Sequence, residues 1–102
     1  MRALPSGLAF ALVVLQAAHA QNIAAGERIA KRWCSACHLT GPQGAASDAA
    51  PSFYAIADAP STTAASLAYF LSRRHPPMPD FALTRIETAD VSAYILSLRK
   101  PR

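Results

Sequence analysis

The 102-residue chain carries 10 Lys and Arg against 6 Asp and Glu, a formal charge of +4, with two cysteines and three histidines. That length holds one small domain, and without a dense basic patch interleaved with aromatics the chain is excluded as a nucleic-acid binder. A mildly basic balance suits acidic partners instead, through an attraction that salt suppresses.

The amino terminus reads as an export signal. Arg2 precedes an apolar run from Leu8 to Leu15 and the small-residue pattern Ala18-His19-Ala20, the layout of a cleaved secretory leader. The run is shorter than the roughly 20 apolar residues a bilayer requires, so no stable membrane insertion is expected after cleavage. Retention of the leader as an anchor is the alternative. The expected organisation is a signal peptide over residues 1–20 and one periplasmic domain over residues 21–102. A core of that size is marginal without a staple such as a metal, a disulfide or a bound cofactor.

Over residues 22–38, Gly26, Ile29, Ala30, Trp33, Cys34 and Cys37 recur at helical spacing, with Asn22 as the cap. Residues 40–51, rich in Gly, Ala, Ser and Pro, form a loop. Ser52 caps a short helix through Phe53, Ile56 and Ala57 that ends before Pro60. Ser61 or Thr62 then starts a longer helix with Leu67, Phe70 and Leu71 as its stripe and Arg73 and Arg74 at its negative end. Three prolines make residues 75–80 a stiff loop. Thr84 and Glu87 match a capping box for a last helix, whose face is Val91, Tyr94, Ile95 and Leu98 and which stops before Pro101. No strand pattern or repeat is present, so the fold class is all-α.

Cys34-Ser35-Ala36-Cys37-His38 fits the CxxCH pattern for attachment of c-type haem. Two cysteines three apart on a helical turn point their sulfurs to one side, where they can form thioethers with two haem vinyl groups. His38, the next residue, can turn its imidazole to the iron. Three plainer readings compete. A thioredoxin-like pair belongs beside a βαβ pattern, which is missing. A structural zinc site takes four protein ligands, and the chain beyond the leader offers two Cys and two His. A simple disulfide suits an oxidising compartment but leaves the adjacent histidine unexplained.

The second axial position falls to Met78, the only methionine beyond the leader, in a proline-stiffened loop. A thioether ligand raises the potential of haem iron. The alternative is that Met78 fills a core gap. His75 reads as a solvated imidazole beside the helix end, with exchange onto the iron in place of Met78 as the alternative. Trp33, Tyr54 and Tyr69 either reach haem propionates or simply pack. Lys31, Arg32, Arg73, Arg74 and Arg85 are candidates for a basic docking rim, against the reading of an ordinary solvated surface.

With these motifs in place, residues 21–102 closely resemble the class I cytochromes c, in particular the small bacterial monohaem forms. Gly26 matches the family glycine where the first and last helices cross, Ala30 falls at the next contact, and Val91 and Tyr94 match the partner positions. Pro51 resembles the proline whose carbonyl accepts the ring N–H of the proximal histidine, here His38, with Pro42 as the other proline in reach. The family's methionine ligand falls on Met78.

The resemblance implies three main helices and a short one around a single covalently bound haem c. It also implies a single-electron carrier rather than an enzyme, matured by haem-attachment machinery and working between a redox donor and an acceptor. The alternatives are a dedicated cytochrome subunit of a periplasmic dehydrogenase complex and a sensor or enzyme with Met78 off the metal.

Overall fold

The computed structural model describes residues 21–44 and 49–101, and the export signal expected over residues 1–20 lies outside them. Each helix begins where a short polar side chain takes up a backbone N–H. Asn22 Oδ1 accepts from the Ala25 N–H at 2.9 Å and opens α1 (Ile23–Ile29). Ser52 does the same for α2 (Phe53–Asp58), Thr63 for α3 (Ala64–Leu71) and Thr84 for α4 (Arg85–Ser97). The last two are full capping boxes, completed by Ser66 and Glu87. Each cap contributes about 1 kcal/mol by satisfying donors that the first helical turn leaves open.

Three expectations are corrected. The helix expected over residues 22–38 is not uniform: after α1 the chain widens into a π turn over Ala30–Cys34, in which the Ser35 N–H reaches back to the Ala30 carbonyl at 3.1 Å. Over a single turn, the apolar periodicity of the α and π forms is too similar for sequence to separate them. The cap of α3 is Thr63 rather than Ser61 or Thr62, because only Thr63 has Ser66 three residues on to return its hydrogen bond. Arg73 and Arg74 accordingly lie beyond the Ser72 cap rather than in the last turn of α3.

The core forms where α1 crosses α4. A side chain on Gly26 would place its Cβ 2.0 Å from the Asp90 carbonyl oxygen, so the two backbones touch only because residue 26 has none. Asp90 also reaches across to accept the Asn22 N–H at 2.8 Å, putting a carboxylate at the positive end of α1. Val91 is fully buried in a cluster with Ala30, Phe53, Ala57, Leu67, Tyr94 and Ile95. Burying a side chain of that size stabilises the fold by about 1.5–3 kcal/mol.

Beyond α4, Arg99 Nε donates to the Ala57 carbonyl at 2.7 Å and its Nη2 donates to Thr62, fastening the chain end over α2 and the turn that follows it. Among the described residues there is no strand, only an isolated bridge between His75 and Met78. The all-α class is the observed one.

Candidate functional site

The π turn delivers the two cysteines. Cys34 is buried and Cys37 is exposed, and their thiols are not joined. Burial pushes the Cys34 thiol up to about 11, because a thiolate there would lose its hydration. The His38 N–H bonds to the Cys34 carbonyl at 3.0 Å and brings the imidazole off the end of the same turn.

The His38 ring is held by the chain that enters α2. Nδ1 lies 2.6 Å from the Pro51 carbonyl oxygen; since a carbonyl only accepts, Nδ1 carries the proton and Nε2 keeps its lone pair. Pro51, not Pro42, is the acceptor. The Phe53 ring lies 5.2 Å from the His38 ring, and the Phe53 N–H donates to the Leu39 carbonyl at 2.9 Å.

One support has no counterpart in the sequence reading. The buried Tyr94 hydroxyl donates to the Thr40 carbonyl at 2.5 Å, across 54 positions of chain. Burial, with Glu27 and Tyr54 adding to it, holds the Tyr94 phenol above its ordinary range and keeps it protonated as a donor. The signal that could have found this bond is a tyrosine on an otherwise apolar helix face, whose O–H must find a partner when buried.

Met78 sits in the loop between α3 and α4, half-buried, with its N–H bonded to the His75 carbonyl at 2.7 Å. Leu71, Phe81 and Leu83 line the same small cavity. His75 is half-buried: its ring stacks on the exposed Phe70 at 3.6 Å and 19°, and its Nδ1 is 3.0 Å from the Arg73 carbonyl oxygen. Phe81 joins this loop to the cysteine turn, since its ring lies 5.6 Å from that of Trp33, the residue before Cys34.

The aromatic and basic candidates divide further. Trp33 is 44% exposed with the Arg32 guanidinium 5.0 Å from its ring, and Tyr69 is 63% exposed with Arg73 at 4.8 Å. Tyr54 is half-buried. Lys31 pairs with Glu27 at 3.6 Å and Arg74 with Asp80 at 3.8 Å, both at the surface, where such pairs contribute little. Arg85 is exposed.

This donor set fits a c-type haem: two unjoined thiols on one turn, an imidazole with Nδ1 already engaged, and a thioether in a neighbouring loop. Among the described residues no group of three or more His, Cys, Asp or Glu could hold a metal ion.

Comparison with known proteins agrees. The cytochrome c family profile matches residues 23–99. Cytochrome c-552 of Bradyrhizobium diazoefficiens is 47% identical over 75 residues, covering 72% of each chain. No solved structure gives a significant match. A match that runs from the first helix to the end of the last takes in the whole helical frame as well as the CxxCH turn, and on that ground the chain belongs to the class I monohaem cytochromes c, electron-transfer proteins with one covalently bound haem c.

Proposed function

We propose that the chain is an exported single-electron shuttle in which Cys34 and Cys37 carry the haem thioethers and His38 and Met78 are the axial ligands. The observation that carries this reading is the 2.6 Å contact of His38 Nδ1 with Pro51, directly after two unjoined thiols. It leaves Nε2 as the basic nitrogen and strengthens it as a donor, as second-shell acceptors do for metal-bound histidines.

The haem supplies the electron chemistry when bound, and the protein sets potential, orientation and exclusion of water. Phe53, Leu71, Phe81 and Leu83 keep water from the two ligand side chains. If His38 and Met78 both hold the haem, substrate or oxygen would find no free position there, which would suit a carrier rather than a catalyst. Export through the residue 1–20 signal would place it in the periplasm, where haem-attachment machinery completes it. Among the described residues no helix is long and apolar enough to cross a membrane. Partners would be redox proteins with acidic surfaces, docked weakly and briefly by the exposed Lys31, Arg32, Arg73, Arg74 and Arg85.

The test is spectroscopic. Protein matured with haem-attachment machinery should give a pyridine haemochrome of the thioether type. Its oxidised form should show the weak far-red band of sulfur on iron, and Met78→Ala should lose that band while keeping the haemochrome. A far-red band that survives in Met78→Ala would assign the sixth ligand elsewhere.

A further inference from the structure

We propose that Tyr94 is a positioning residue for the electron-transfer site, its hydroxyl acting through the Thr40 carbonyl to fix the orientation of the His38 imidazole. The inference rests on His38 being the proximal ligand and adds a determinant from the far end of the chain.

The segment that leaves His38 is gripped from two sides. The Leu39 carbonyl accepts from the Phe53 N–H at 2.9 Å, and the Thr40 carbonyl accepts from Tyr94 Oη at 2.5 Å. Thr40 is 3% exposed and Gly41 is buried beside it. A Cβ on Gly41 would lie 2.8 Å from the Tyr94 hydroxyl oxygen, so residue 41 is packed against that oxygen. The rings continue the contact: Tyr94 to Phe53 at 6.5 Å, and Phe53 to His38 at 5.2 Å.

The imidazole is thus caught between two stretches of chain. Residues 51–53 supply the Nδ1 acceptor and the tilted Phe53 ring. Residues 39–41 continue directly from the histidine backbone, and Tyr94 ties them to α4. If the tie is cut, the histidine backbone can shift relative to the Pro51 carbonyl while the helix crossing at Gly26 remains. A longer Nδ1–H···O contact makes Nε2 a weaker donor, and a weaker donor stabilises oxidised iron less. Tyr94 therefore reaches the iron's electron affinity without touching haem or ligand.

Tyr94→Phe in the haem-loaded protein removes only the oxygen. Three quantities are measured: thermal stability, hydrogen exchange of the His38 Nδ1–H by NMR, and reduction potential. The expected result is about tenfold faster Nδ1–H exchange, the scale of one lost hydrogen bond, with an upward shift in potential worth about threefold in the redox equilibrium constant. Arg99→Leu is the control, since it loosens α4 at Ala57 and Thr62 without touching residues 39–41; it should lower stability and leave exchange and potential as they are.

Gly41→Ala supplies a second route. No described glycine has a positive φ, so alanine at 41 meets the phenol oxygen rather than a backbone penalty. It should shift exchange and potential in the direction of Tyr94→Phe, and add little when combined with it. If Tyr94→Phe loses stability but keeps wild-type exchange and potential, or if Arg99→Leu moves them equally, the positioning role is overturned. If the wild-type protein shows no paramagnetically shifted His38 ring signals, the ligand assignment itself fails, a separate outcome.

Discussion

The turn that carries Cys34, Cys37 and His38 is pinned from several sides, whereas the loop that carries Met78 is held mainly by its own neighbours. On the first side, carbonyls at 39, 40 and 51 are taken up by Phe53, Tyr94 and His38, and the helices behind them touch backbone to backbone at Gly26. On the second, Met78 bonds to His75 and Asp80 Oδ1 accepts from Ala82, contacts two or three positions apart, and the Arg74–Asp80 pair is exposed. Ala82 sits at φ 53°, a left-handed backbone that costs an alanine on the order of 1 kcal/mol. Long-range buried bonds open only with the whole fold, while local exposed ones open alone. His38 is therefore built into the global stability of the protein, and Met78 sits on a separable element.

The sharpest way to break this contrast is at the helix crossing. Gly26→Ala would drive a Cβ into the Asp90 backbone, which cannot yield without parting α1 from α4. The expected loss is at least about 3 kcal/mol, beyond ordinary overpacking, read as a fall in the denaturation midpoint with the His38 and Met78 regions affected together. A near-neutral Gly26→Ala would show that the crossing does not govern the fold.

A smaller effect concerns the wild type. In a denaturant titration of the oxidised protein, the far-red sulfur band should vanish at a lower concentration than helical circular dichroism does. The two transitions would differ by about 1–2 kcal/mol in opening free energy. Coincident transitions would mean that the Met78 loop is part of the global cooperative unit.

The smallest effect sharpens the same point in the opposite direction. Ala82→Gly relieves the left-handed strain at φ 53° and should stabilise the loop by about 0.5 kcal/mol after the added flexibility of glycine in the unfolded chain is counted. It should move the far-red transition upward and leave the helical one nearly in place. A change confined to the helical transition would relocate the strain to the global fold.

Much of this was legible because local chemistry is written locally. Asn22, Ser52 and Thr84 cap the helices they were expected to cap, since a cap needs only one side chain and an N–H two or three residues on. The α4 stripe and the family membership carried by the CxxCH spacing are likewise properties of short stretches. Where neighbours offer the same chemistry, local sequence does not choose: Ser61, Thr62 and Thr63 differ as caps only through what lies three residues further on. The stacking of His75 on Phe70 was not legible, because it is decided by how the loop folds back, which no spacing records.

By itself, then, the sequence determined the helical class, the positions of the helix starts and the attachment motif, because each depends on residues within about one turn of one another. Only the tertiary structure decided that the cysteine turn widens into a π form, that Pro51 rather than Pro42 accepts the His38 N–H, that Tyr94 ties α4 to Thr40, 54 positions away, and that Arg99 ties the chain end to Ala57, 42 positions away. Those choices answer a demand for partners among groups that only helix packing brings within reach of one another. That demand exists only in three dimensions.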